Sequence, residues 1–209
     1  MPGTPAIDAT LARFGFYPLA PRAPRPSPEA IRGMATQAGL RLPEPFVAYS
    51  AAYGAGAFGQ RVGLALPPGC PLGTEFVVDI LYAAGAPEDW DALALRDDTY
   101  AGRLPFLAIP IATDPAGNLL VMTPAGQDTI YAWDHEHLDM DPGAVDHLIT
   151  DLAREGVPVE EHDLDQLILL GEGRFPERVG NPSGHGNLYR VAESYEALFE
   201  GLRPLASPS

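Results

Sequence analysis

The sequence predicts an α+β fold in which an antiparallel β-sheet is flanked by helices, and three observations carry that prediction. Apolar runs at residues 106–112, 119–123 and 129–133 are separated by Asp114-Pro115-Ala116-Gly117-Asn118 and Pro124-Ala125-Gly126-Gln127-Asp128. Two earlier stretches, 27–39 and 46–53, place apolar residues at helical spacing and stop at Gly39 and Gly54. A third helical stretch, residues 192–202, closes the pattern with Tyr195, Leu198, Phe199 and Leu202 on one face.

The three apolar runs are rich in Ile, Leu, Val, Tyr and Trp, which favour a pleated surface, and Gly, Asn, Asp and Pro supply the angles that turns need. They predict an antiparallel meander. Alternation puts Leu107, Ile109 and Ile111 on one face, and likewise Leu119 with Val121 and Tyr131 with Trp133, so one side of the sheet is expected to be dry.

Residues 1–26 predict a Pro-rich N-terminal arm, with a short helix at 7–14 followed by YPLAPRAPRPS, whose prolines favour extended geometry and leave few backbone donors. Ser27-Pro28-Glu29 is a helix start: a capping hydroxyl, a proline where the N–H is spare, and a carboxylate in the first turn. Leu42-Pro43-Glu44-Pro45 begins the next helix. GAGAFG at 54–59 matches the dinucleotide fingerprint in form only, because a helix precedes it and a strand at 61–66 comes after, so a helix-terminating loop is expected. Residues 76–82 read as a strand or the start of a buried helix, and 87–91 as an acidic helix start leading into Leu93 and Leu95. Helices are expected at 142–155 and at about 163–170, and a long loop at 171–187.

A chain of 209 residues is one ordinary domain, long enough to bury roughly 70% of its unfolded surface without staples. The single cysteine, Cys70, forbids an internal disulfide, and no N-terminal leader pattern or apolar run of membrane-spanning length is visible, so a cytoplasmic protein is expected. The net charge of −15 is uneven: residues 1–61 hold three acids and six Arg, whereas residues 134–165 hold eleven acids and one Arg. Such a field disfavours nucleic acid and favours a basic partner.

Three separated pieces together resemble the SMI1/KNR4 (SUKH) superfamily. They are helix–LPEPF–helix–YGAGAFG over 27–59, LAIPIATDPAGNLLVM with TIYAWDHE, and VAESYEALFEGL. The resemblance implies an SMI1/KNR4-like domain over 27–209, with residues of about 139–187 as an added helical segment. Bacterial members are chiefly immunity proteins that bind and neutralise a cognate toxin, often a nuclease. For this chain the resemblance implies a protein-binding domain without chemistry of its own, with a regulatory or scaffold module that binds a host protein as the alternative.

The residues themselves offer little chemistry. His135 and His137 alternate at a strand end among Asp134, Glu136, Asp139 and Asp141, but no third His is near and the Asp-rich run lacks an EF-hand pattern, so no metal is expected. Ser183-Gly184-His185 has no nucleophile elbow, and Cys70 has no base beside it in sequence; no catalytic residue and no cofactor is expected. The expected partner contacts are an aromatic rim, Tyr53, Phe58 and Trp133, and the acids Asp134, Glu136, Asp139, Asp141, Glu160, Glu161 and Asp163. The partner they imply is a cognate protein toxin with a basic face, not a membrane or a nucleic acid.

Overall fold

Helix α1, Pro5–Arg13, starts on a proline and buries Ile7 and Leu11, and Phe14 continues the stripe just past its end. That spacing of four and three residues is what turns the expected arm into core, because an apolar face on a helix is stabilised only by being covered. In this computed structural model, which describes residues 4–100, 104, 108–123, 128–135, 150, 152–154, 156, 158 and 188–206, the Pro-rich arm is therefore corrected. It consists of α1, strand β1 (Phe16–Pro18) and a strap that runs to residue 27.

β1 is an edge strand. Gly59 donates its N–H to Gly15 O and Leu19 to Ala55 O, both at 3.0 Å. By alternation Tyr17 turns its backbone groups toward the neighbouring strand while Phe16 and Pro18 turn theirs outward. Proline is tolerated there because the donor it lacks would face solvent, and the same lack blunts the edge against further pairing.

Helix α2, Pro28–Gln37, has the predicted cap: Ser27 Oγ accepts from Ala30 N at 3.2 Å. Ile31 and Ala35 face inward, and Gly39 ends the helix at φ 71°. Helix α3, Glu44–Ala52, is buried through Phe46, Val47, Tyr49 and Ser50 and ends at Gly54, φ 68°. The glycines after it do not form only a loop, as expected, because Gly56–Phe58 is strand β2. A side chain at Gly56 would overlap the Phe16 ring, so this glycine admits β1 and not a pyrophosphate.

Strand β3 (Val62–Ala65) pairs with β4 (Glu75–Val78), and residues 76–82 resolve as strand, with β5 at Ile80–Leu81. A 3₁₀ turn, Glu88–Trp90, leads into helix α4, Ala92–Ala94, which passes into a π-type turn, Leu95–Thr99; Asp91 Oδ1 caps it by accepting from Leu93 N at 3.0 Å. The meander is present as β6 (Ile109–Thr113), β7 (Leu119–Thr123) and β8 (Thr129–Trp133), all antiparallel. In the first hairpin Asp114 Oδ1 accepts from Ala116 N (2.9 Å) and Asn118 N (2.8 Å), and Gly117 takes φ 96°.

The one-dry-face expectation is corrected in two ways. A bulge between Pro110 and Ala112 sets Ile109 opposite Met122, on the other face from Val121. Residues from Ala108 to Met122 that lie in β6 and β7 are buried whichever way they point, so helices and the second sheet cover both sides.

Two further strands lie where none was expected. β9, Leu188–Ala192, adds to β8, and β10, Arg203–Pro204, adds to β3. Among the described residues the main sheet runs β1-β2-β5-β6-β7-β8-β9 and the smaller one β10-β3-β4. Helix α5, Tyr195–Gly201, is capped by Ser194 Oγ accepting from Ala197 N (3.1 Å), and it packs on α1 and α3 with Tyr195, Leu198, Phe199 and Leu202 buried, as its apolar stripe predicts.

Residues 150 and 152–154 are helical and Gly156 has φ 84°, in line with the expected helix at 142–155 and its stop. The rest of that helix, the helix at about 163–170, the loop at 171–187 and most of the expected insertion lie outside the described residues. No helix among the described residues is long and apolar enough to cross a membrane.

Candidate partner-binding surface

Two of the three residues of the expected aromatic rim are core. Phe58, 8% exposed, meets Phe14 edge-on at 6.0 Å and Phe16 at 6.2 Å. Both covering rings come from the N-terminal segment, so reading that segment as an arm and reading Phe58 as exposed were one error. Trp133, fully buried, meets Tyr100 edge-on at 5.9 Å and lies opposite Leu188 of β9. Without β9, residue 133 reads as the exit of an edge strand; with it, the position is interior. Asp134 is only 3% exposed and offers no charge to a partner's surface. Tyr53 is half-buried, its ring against Phe16 at 6.0 Å, and its hydroxyl donates to Asp8 Oδ1 at 2.7 Å. Burial first, and that bond second, push its phenol up to about 12.

The remaining expected acids, Glu136, Asp139, Asp141, Glu160, Glu161 and Asp163, lie outside the described residues, as does His137. Within the described part, Asp79, Asp89, Asp97 and Asp98 are exposed. Some surface charge is already paired: Arg32 holds Glu44 through two bonds, 3.0 and 2.6 Å, and lowers its carboxyl, and Arg203 bonds Glu75 at 3.0 Å.

Residues with chemical potential are held in structural roles. His135 Nδ1 lies 2.9 Å from Asn118 Oδ1, and Asn118 Nδ2 donates to Asp114 Oδ2 at 2.9 Å. The second bond identifies the Asn118 oxygen, so Nδ1 is the donor of the imidazole, and the chain Asp114–Asn118–His135 ties the end of β8 to the first hairpin. Sequence reading missed Asn118 as the link, although its place in an Asp-x-x-Gly-Asn turn was visible. Cys70 is buried, which raises its thiol, and the charge of Asp134 adds to the rise, so the thiolate that nucleophilic or metal chemistry needs is disfavoured. Among the described residues no group of three or more His, Cys, Asp or Glu could hold a metal ion.

The antiparallel sheet with flanking helices defines an α+β protein. The sequence pattern of the SMI1 / KNR4 family (SUKH-1) matches residues 25–152, and the chain belongs to that family. The match spans the first two of the three pieces that carry the resemblance; α1, β1, β9 and α5 lie outside it, yet they complete the main sheet and the core. No curated protein and no solved structure matches the chain.

Proposed function

We propose that this is a non-catalytic binding domain of the immunity type, which neutralises a cognate bacterial toxin in the cytoplasm by occupying its surface, a nuclease being the class that an acidic inhibitor fits best. The observation that carries the reading is family membership over residues 25–152. Charge supports a basic partner, because the chain carries −15 and eleven of its acids fall in residues 134–165. Phe58, Trp133 and Asp134 are withdrawn as contacts. Glu136, Asp139, Asp141, Glu160, Glu161 and Asp163 remain the proposed acidic contact set, with Tyr53 beside α3 as its aromatic member.

The test is co-expression with the product of the neighbouring reading frame, scored by growth rescue and co-purification, then titration of the purified toxin. Complete inhibition near a small fixed ratio is expected, whereas full protection at strongly substoichiometric amounts would mean turnover. Neutralising Asp139, Asp141, Glu160, Glu161 and Asp163 together, as Asn or Gln, should slow association and weaken its salt dependence with the off-rate nearly unchanged. Exposed charges act mainly on encounter, over a screening length of about 8 Å at ~0.15 M salt. An unchanged on-rate removes the acidic face from the reading.

A further inference from the structure

A small cleft, open to solvent, lies where the Pro-rich strap crosses the C-terminal end of α3 and meets the turn after β5. Its walls are Pro18, Pro24, Pro26 and Pro87, and its polar side chains are Ser50, Tyr53 and Arg25. Prolines have no N–H, so the walls offer rings and carbonyls, and the strap is stiff before anything binds. The strap is anchored at both ends of the cleft: Leu19 N donates to Ala55 O at 3.0 Å, and Arg25 Nη1 to Ala52 O at 2.8 Å.

The inventory of donors decides what fits. The Tyr53 hydroxyl is already given to Asp8. Ser50 is 1% exposed; its Oγ accepts from Ala84 N at 3.1 Å, and its own hydrogen has no acceptor among the described residues. Arg25 gives one N–H to Ala52 O and makes no ion pair among the described residues, which leaves most of its five donors open. It is also the sole charged residue among the described residues that line the cleft, in a chain of net charge −15. A guanidinium and a buried hydroxyl that line one cleft, between apolar walls, are complementary to a planar anion with two acceptor oxygens. The enclosed part has room for about one or two waters, so the anionic head must be small.

We propose that this cleft binds a carboxylate on a small apolar body, with Arg25 holding the anion and Ser50 donating to one of its oxygens. A short aliphatic acid and the C-terminal residue of an extended chain both present that chemistry. The site borders the toxin contact proposed above at Tyr53, which lines the cleft, but needs neither that contact nor the acidic segment.

The competing role for Arg25 is to cap α3 alone, since a cation at a helix C-terminus is favourable in its own right. Arg25→Gln separates the two by readout, because loss of the charge weakens anion binding if Arg25 holds the ligand and shows only in thermal stability if Arg25 is a cap. The experiment titrates the full chain with N-acetyl-alanyl-alanine, the same dipeptide as its C-terminal amide, and propionate, monitoring amide shifts of Gly54, Ala84 and Gly85 and the Arg25 side-chain signal. The free acids should give saturable shifts confined to these groups, with a Kd of about 1 mM as befits so few contacts, and the amide none. Arg25→Gln should weaken binding by about tenfold or more with at most a small fall in thermal stability, and Ser50→Ala, if folded by the same spectra, should weaken it several-fold. Tighter binding of the dipeptide acid identifies a chain end as the natural ligand, and equal binding of propionate identifies a free acid. Equal shifts from the amide, or an unchanged Kd in Arg25→Gln, would overturn the proposal and leave Arg25 as a cap.

Discussion

Removing a single oxygen from Tyr195 or Tyr49 is expected to leave the protein as stable as before, or more so. Both rings are buried, at 1% and 0% exposure, within an aromatic cluster: Tyr195 lies 5.8 Å from Tyr49, 5.1 Å from Phe46 and 5.2 Å from Phe199. Neither hydroxyl has a hydrogen-bond partner among the described residues. Burial drives both phenols well above their ordinary pKa, which shows how poor a solvent the cluster is for polarity. An unsatisfied buried hydroxyl costs about 1–3 kcal/mol, while the ring contributes area and packing that phenylalanine retains. Tyr195→Phe and Tyr49→Phe should therefore each change stability by between zero and about +1 kcal/mol, a Tm rise of up to about 2–4 °C for a chain of this size. Phe199→Ala, which removes a whole ring from the same cluster, should cost about 3–5 kcal/mol. Urea unfolding followed by circular dichroism, with an unchanged m-value, measures all three. If Tyr195→Phe destabilises by more than about 1 kcal/mol, its hydroxyl is held by an ordered water or a chain group, and the cluster is not the dry contact described. If Phe199→Ala leaves stability unchanged, α5 is not part of the core.

Two glycines should respond to alanine with opposite signs. A Cβ at Gly63 would run into the carbonyl oxygen of Phe76 and stand 2.6 Å from Leu205 Cδ1, so Gly63→Ala must force β3 and β4 apart and cost about 3 kcal/mol, whereas Gly33, in α2 with nothing within 4 Å, should gain about 0.5–1 kcal/mol; equal Tm shifts would refute this register. In alkali, the phenols of Tyr53 and Tyr82, both raised to about 12 with burial as the leading cause, ionise later in the folded chain than in the unfolded one. A raised phenol favours the fold fully below the ordinary value near 10, and the advantage is lost as pH climbs from there through 12; stability that stays flat over that window, with tyrosinate absorbance rising fully near pH 10, would refute the burial of both rings.

The N-terminal segment shows how one local reading carries over to a distant one. Its prolines at 18, 21, 24 and 26 read as a spacer; Pro18 ends β1, and the other three do lie in an irregular strap. The residues just before them read differently once packed: Ile7, Leu11 and Phe14 cover the sheet beside α5, and Thr10 Oγ1 donates to Phe199 O at 3.2 Å across nearly the whole chain length. Phe58 became interior through that packing, whereas Trp133 did so through β9 and Tyr100.

Features that depend on neighbours within a few residues were legible in the chain before any folding was considered. The Ser27 cap, the glycine stops at 39 and 54, and the Asp114–Asn118 turn depend only on neighbouring backbone, and each is where the pattern puts it, whereas the closing helix starts at Tyr195 behind a Ser194 cap and not at 192. The closing helix face and the three-stranded meander are legible for the same reason, since periods of 3.6 and 2 are written locally. The family's order of pieces could be read as well. Which strands lie beside which is a matter of three-dimensional closure, because pairing energy does not depend on separation along the chain: β1 meets β2 across some forty residues and β9 meets β8 across more than fifty. An alternating strand records that one face differs from the other, but not whether both will be covered, and a single bulge at Ile111 exchanges the faces. The burial of Phe58, Trp133 and Asp134, and the meeting of Arg25 with Ser50 in one cleft, arise from such long-range closures, and no window of sequence contains them.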